Sequence, residues 1–165
     1  MEGVTENTFE ADRSITRAEW ASLLVRSLGL AQTGKSSFRD VLPEHWYYTS
    51  VSAAVEAGIV NGYPDGSFRP DAPVTREEMA AMLVRALAFA GSPAAFLTAK
   101  QAEAVLDRFN DSGSILWATQ ETAQAVQAGI LQGHAAATLG ASAPATRAEA
   151  ATMLKRFLEK CGFIE

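Results

Sequence analysis

One five-residue pattern occurs three times and fixes how the rest of the chain can fold. Ile15-Thr16-Arg17-Ala18-Glu19, Val74-Thr75-Arg76-Glu77-Glu78 and Ala145-Thr146-Arg147-Ala148-Glu149 each stand directly before an apolar helical pattern. Thr followed three residues on by Glu is a capping box. The hydroxyl accepts from an early helix N–H, and the carboxylate accepts from the Thr N–H. The capping box leaves the arginines without a role. Arg17, Arg76 and Arg147 fall at the first helical position, at the positive end of the helix dipole, where a cation costs a few tenths to about 1 kcal/mol. Threefold recurrence of that cost asks for a reason, and two readings stand. One is an anion site, in which free N–H groups, the dipole and the guanidinium face an acidic ligand. The other is an ion pair with a nearby carboxylate such as the capping Glu.

The repeat extends beyond the pattern. Thr75 and Thr146 lie 71 residues apart, and at that spacing Phe38, Asp40, Trp46, Val55, Gly58 and Gly62 match Phe109, Asp111, Trp117, Val126, Gly129 and Gly133. Thr16 and Thr75 lie 59 apart, and there Gly3, Phe9 and Asp12 match Gly62, Phe68 and Asp71. The chain divides into a partial repeat holding only a second helix (1–37), a repeat with a linker helix (38–107) and a third repeat (108–165). Within a repeat, Phe38 to Val41 is an extended lead-in. A first helix follows from Pro43-Glu44-His45-Trp46 to about Ala57, with Trp46, Val51, Ala54 and Val55 as its apolar positions. Gly58 ends it. Pro64-Asp65-Gly66 is a turn, with Ser67 to Pro70 returning as a tiny hairpin. The second helix carries Met79, Met82, Leu83, Ala86 and Leu87 on one stripe. Its counterparts are Trp20, Leu23, Leu24, Ser27 and Leu28, and Ala150, Met153, Leu154, Phe157 and Leu158. All three stripes read as core. Thr98 to Gln101 is a further capping box, and the helix it opens leans Ala102, Val105, Leu106 and Phe109 on the core. The absent first helix leaves Trp20 and Leu24 as an exposed apolar patch near copy one, or as a surface for self-association.

Hydrophobic residues make up 48% of the 165, enough for a core in an all-α repeat array. A net charge of −5 argues against nucleic acid or an anionic membrane as partner. Any anionic ligand must meet local positive charge. No apolar run approaches a membrane span, and Met1-Glu2-Gly3-Val4 does not open a signal peptide. The lone Cys161 reads as a small hydrophobe. No His/carboxylate cluster has metal spacing, no nucleophile–base pair or phosphate loop stands out, and neither cofactor nor catalysis is expected.

Phe38-Arg39-Asp40-Val41, Trp46, the run Gly58 to Pro70, and Thr75-Arg76-Glu77-Glu78 together resemble the S-layer homology domain, over almost the whole chain. The resemblance implies a pseudo-threefold array of helix-loop-helix repeats around a central bundle of three helices. It also implies that the chain anchors an exported protein, without covalent attachment, to the cell wall of Gram-positive and related bacteria. The ligand implied is a secondary cell-wall polysaccharide ending in pyruvylated N-acetylmannosamine. On that reading the repeated Arg is the clamp for the ketal carboxylate. Copy three departs from the pattern, since Gly133-His134-Ala135-Ala136-Ala137-Thr138-Leu139 replaces the Pro-Asp-Gly turn.

The candidate ligand residues are therefore Arg17, Arg76, Arg147, Asp40, Asp111, Trp46, Trp117, Gly62 and Gly133. The best groove is expected between neighbouring repeats, with Arg76 as clamp, Gly62 as floor, and Asp40, Trp46 and the lead-in of the next repeat supplying hydroxyl and stacking contacts. Each candidate also has a structural role open to it. The aspartates can turn the chain, the tryptophans can pack most of their ring area in the core, and the glycines can serve the turn alone. Arg26, Arg85 and Arg156 also recur and read as a solvated helix face. A purely structural assembly module, with the arginines in ion pairs, is the alternative function.

Overall fold

The computed structural model describes residues 8–31, 34–135 and 137–165. The match of Gly3 with Gly62 and the part played by Ala136 lie outside these. The described residues form six α-helices and one 3-10 turn, with isolated bridges but no strand. The chain is all-α and divides into two compact units, residues 1–74 with 145–151 and residues 75–144 with 152–165. These units cut across the repeats, because helix α6 (Arg147–Lys160) contributes to both.

In the first unit α1 (Arg17–Ser27) begins at Thr16. Glu19 N–H donates to the Thr16 hydroxyl at 3.2 Å, and Thr16 N–H donates to Glu19 Oε2 at 2.8 Å. Helix α2 (Tyr48–Glu56) packs on α1. That packing overturns the expected apolar patch, because Trp20 and Leu24 are both 0% exposed. The first helix of copy two covers the second helix of copy one, so copy one needs no first helix of its own for this purpose. The register of α2 also differs from expectation. A turn closed by His45 N–H to Leu42 O delays the helix to Tyr48. Tyr47 then turns inward and is buried, while Trp46 is left 62% exposed.

A ring of backbone hydrogen bonds ties three repeat starts together inside this unit. Ile15 N–H donates to Ala145 O at 3.0 Å, Ala145 N–H to Val74 O at 2.9 Å, and Val74 N–H to Ile15 O at 3.0 Å. All three residues are fully buried. They hold the same place in the three copies, so the ring gives each polar backbone group a partner drawn from another copy.

In the second unit α3 (Arg76–Phe89) opens on the same capping box, built from Thr75 and Glu78. Its stripe of Met79, Met82, Leu83, Ala86 and Leu87 is buried as expected. Helix α5 (Thr119–Gln127) packs on α3, and the linker helix α4 (Ala99–Leu106) packs on α5. Ala102, Leu106 and Phe109 are buried, which is the face that the linker sequence assigns to the core. Glu77 is buried as well, and its Oε2 accepts from Leu116 N–H at 3.1 Å.

Candidate functional site

The repeated arginines are at the helix starts, and each is engaged by a loop of another copy. Arg17 Nε donates to Phe68 O at 2.9 Å and its Nη2 to Asn61 O at 3.3 Å. In the second unit Arg76 Nε donates to Leu139 O at 3.0 Å and its Nη2 to Gln132 O at 2.6 Å. Arg147 Nε donates to Phe9 O at 2.9 Å. Phe68, Leu139 and Phe9 are counterparts, as are Asn61 and Gln132. The contacts therefore run in a cycle, copy one to copy two, two to three, and three to one. Aromatic rings add to it. The Arg17 guanidinium carbon lies 4.8 Å from the Tyr63 ring centre and 4.9 Å from that of Phe68, and Arg147 lies 4.9 Å from Phe9.

The helix N–H groups follow the same cycle. Arg17 N–H donates to Ala72 O and Ala18 N–H to Pro70 O; Arg76 and Glu77 donate to Ala143 O and Ala141 O; Arg147 and Ala148 donate to Arg13 O and Ala11 O. With the third N–H on the Thr hydroxyl, the donors that the anion reading counted as free are occupied by protein. The arginines are buried to within 4–6% exposure. The carbonyl partners were named by neither sequence reading, while the ion-pair reading meets one carboxylate, Glu19, at 3.8 Å from Arg147 Nη1.

Asp40 and Asp111 clip the same loops. Asp40 accepts from Phe68 and Arg69 N–H, both at 2.8 Å, and Asp111 from Leu139 N–H at 2.8 Å and Gly140 N–H at 2.7 Å. The bond from Leu139 leads in holding the Asp111 carboxyl below its ordinary value. Burial acts against it, and Gly140 N–H and the Arg76 charge reinforce it. Gly62 lies beneath the lead-in aromatic, since a Cβ there would meet Phe38 Cε1 at 2.2 Å and Ser67 O at 2.8 Å. Gly133 is similarly closed, by Ala135 O at 3.0 Å, Thr138 O at 3.1 Å and Phe109 at 3.3 Å. The described part of the copy-three loop keeps two features of the copy-two loop despite losing Pro-Asp-Gly. His134 N–H donates to Thr138 O at 2.8 Å, as Tyr63 N–H does to Ser67 O at 2.8 Å. Ala137 stands where Gly66 stands in copy two, and it adopts φ +59 against +77 for the glycine.

The structure thus assembles Arg17, Asp40 and Gly62 around one loop of the first unit, and Arg76, Asp111 and Gly133 around one loop of the second. The groove expected from Arg76, Gly62, Asp40 and Trp46 takes Arg76 from the second unit and the rest from the first. Trp46 and Trp117 are 62% and 54% exposed, so neither packs most of its ring in the core.

A concave pocket of about 140 Å³ lies within the first unit, lined by Ile15, Glu19, Ser22, Leu23, Arg26, Trp46 and Arg147. Two of its polar groups have no protein partner among the described residues. Ser22 is 4% exposed and its buried Oγ has no hydrogen bond. The Arg26 guanidinium makes no hydrogen bond or ion pair among the described residues, whereas its counterparts are taken. Arg85 pairs with Glu121 at 3.7 Å, and Arg156 donates to Gln132 Oε1 at 2.8 Å. Glu19 is held in place by Arg13 Nη2 at 2.6 Å, with Arg147 Nη1 at 3.8 Å. Burial raises the Glu19 carboxyl, but the Arg13 hydrogen bond, the Thr16 contacts and the Arg13 charge outweigh it and hold the group below its ordinary value. The wall therefore carries two guanidinium charges against one carboxylate, a net charge suited to one anion. Sequence reading left out Ser22 and Arg26. Recurrence at the Arg26 position misled, because it hides that one of the three arginines lacks a partner among the described residues.

Repeats that cap one another's helices through an arginine and a clipped loop define a cyclic repeat module. The S-layer homology domain profile matches residues 37–80 and 108–151, just over half of the chain, and the chain belongs to that family. It is 36% identical over 168 residues to an amylopullulanase of Thermoanaerobacterium thermosulfurigenes, covering 99% of this chain and 8% of the relative. It is 31% identical over 163 residues to the surface-layer 125 kDa protein of Lysinibacillus sphaericus, covering 96% and 13%. It is 29% identical over 165 residues to a cellulosome-anchoring protein of Acetivibrio thermocellus, covering 97% and 35%. The chain thus spans 8–35% of the length of these relatives.

Proposed function

We propose that this chain anchors a larger exported protein to the bacterial cell wall by binding an anionic wall polysaccharide, without catalysis of its own. The family supports the surface role, and relatives named as surface-layer and cellulosome-anchoring proteins agree with it. The enzymes it resembles share 8–16% of their length with it, and the same segment occurs in relatives not named as enzymes. Residues 1–37, 38–107 and 108–165 act as the three repeats of the module.

The observation that carries the binding reading is the first-unit pocket. An Arg26 guanidinium with no partner among the described residues, the unsatisfied Ser22 hydroxyl and an exposed Trp46 face line one cavity. A cation, a hydroxyl and an aromatic face are the groups that hold an acidic sugar, through a charge-assisted bond, a neutral hydrogen bond and stacking. At about 140 Å³ the cavity is smaller than the roughly 300 Å³ at which drug-sized pockets begin. It fits the acidic end of a chain better than its length. Pyruvylated N-acetylmannosamine is the terminal group proposed, its ketal carboxylate directed to Arg26 and Arg147. Arg17 and Arg76 contribute by holding loops in shape, which is the role their carbonyl partners support. Calorimetry with pyruvylated N-acetylmannosamine tests this. We expect saturable binding that Arg26→Ala abolishes and that N-acetylmannosamine without pyruvate does not show. Equal binding by Arg26→Ala would sink the reading.

A further inference from the structure

We propose that Asn61-Gly62 is a site of spontaneous deamidation and isoaspartate formation, so that the loop of copy two carries a built-in ageing mark. It is the one Asn-Gly step in the sequence, and it lies wholly in the first unit. Asn61 is exposed, and neither its side chain nor the Gly62 N–H has a hydrogen-bond partner among the described residues. Glycine presents that nitrogen with no Cβ in the way of the amide carbon it attacks. The Asn61 carbonyl is tied only loosely. Arg17 Nη2 donates to it at 3.3 Å, against 2.6 Å for Arg76 Nη2 on Gln132 O. The tie also favours the chemistry. The nucleophile is the Gly62 nitrogen after loss of its proton, and its negative charge is shared with the Asn61 oxygen, where a guanidinium stabilises it.

The step needs only the chain and water. Gly62 N bonds to Asn61 Cγ, the bond from Cγ to the side-chain nitrogen breaks, and ammonia leaves with the proton that Gly62 N has lost. The product is a cyclic imide, and water opens one of its two carbonyls. Opening at Cγ gives aspartate. Opening at the former peptide carbonyl gives isoaspartate, with Gly62 attached through Cγ and the chain longer by one methylene. In that form the oxygen that Arg17 held as a carbonyl belongs to a free carboxylate, so the guanidinium gains a charged partner. Gly62 has no room for the longer chain, because Phe38 Cε1 and Ser67 O already stand 2.2 and 2.8 Å from where a Cβ would be. The mark therefore replaces a neutral tie with an ion pair and disturbs the loop around it. Two positions serve as controls. Copy three has Gln132-Gly133 at the same place, where the ring would need a further carbon. Asn110, the other described asparagine, precedes Asp111, whose side chain hinders the approach.

The full chain, held folded in mildly alkaline buffer, tests this by peptide mapping, with isoaspartate read by mass spectrometry and by enzymatic methylation of its free carboxylate. We expect isoaspartate to accumulate at Asn61 while Asn110 and Gln132 stay intact. Asn61→Gln, which copies the residue that copy three carries, should fold as the parent does and stay unmarked. The isolated isoaspartyl form should melt below fresh protein. The inference is overturned if the folded chain forms no isoaspartate at Asn61 while the chain unfolded in urea does. It is also overturned if Asn110 is marked as fast as Asn61. A melting point equal to that of fresh protein would overturn the claim that the mark disturbs the loop.

Discussion

Each repeated arginine is a structural tie before it is anything else. Arg76 buries a guanidinium against the carbonyls of Leu139 and Gln132. Removing it strands the buried Leu139 acceptor and leaves the part-buried one of Gln132 without its donor. Arg76→Ala is therefore expected to lose about 2–4 kcal/mol in chemical denaturation, since bonds to a charged donor and their desolvation both count. Arg26→Ala removes an exposed side chain with no partner among the described residues and should stay within about 0.5 kcal/mol of the parent. A stability loss at Arg26 equal to that at Arg76 would contradict this division. Ala137 holds a left-handed backbone where copy two has Gly66. Ala137→Gly should raise the denaturation midpoint, by about 0.5–1 kcal/mol of stability. Asp65 accepts from the hydroxyl and N–H of Ser67, with Arg69 and Arg39 beside it, and these hold its carboxyl near 2 against an ordinary 3.8. A lowered folded-state pKa stabilises above the unfolded value and stops doing so as pH falls through the folded one. The thermal midpoint of Asp65→Asn should thus fall less steeply than the parent's between about pH 4 and pH 2.

The helices show how far sequence reaches. Capping boxes were legible because the Thr and its Glu are three residues apart and need nothing else. The stripe of α3 was legible because periodicity reports burial. Leu83 is 0% exposed, and Leu83→Ala should cost about 2–5 kcal/mol, measured by urea titration. A loss below about 1 kcal/mol would mean that the core collapses around the gap. The start of α2 was not legible. A helix beginning at Trp46 and one beginning at Tyr48 differ by half a turn, and only packing on α1 decides which aromatic goes inward. The arginine partners were hidden for a different reason. They lie 44 to 138 residues away, and they are carbonyls, which every residue has. The loop of copy three looked broken because its turn residues had gone, yet the clip from Asp111 and the tie from Arg76 impose the shape on Ala137.

At the scale of the molecule the repeats are linked as a cycle in which no copy is complete alone. The N-terminal stretch is a working part of it, because the carbonyls of Phe9, Ala11 and Arg13 receive Arg147 and Ala148. Deleting residues 1–13 should speed amide exchange at Arg147 and Ala148 by orders of magnitude and lower the thermal midpoint, while Thr75 to Leu87 keep their protection. Unchanged exchange at Arg147 would show that the strap is ornamental.

The ring of Ile15, Val74 and Ala145 sets the order in which the protein can mature. Two of its three bonds wait for Ala145, and the tie from Arg147 to Phe9 spans 138 residues. At ribosomal speeds of about 5–20 residues per second, the first loop is made on the order of ten seconds before the helix that it caps. Both compact units take residues from that last helix. Neither can finish before α6 has been made. The repeats, alike enough to fold one after another, instead close together once the third of them is available.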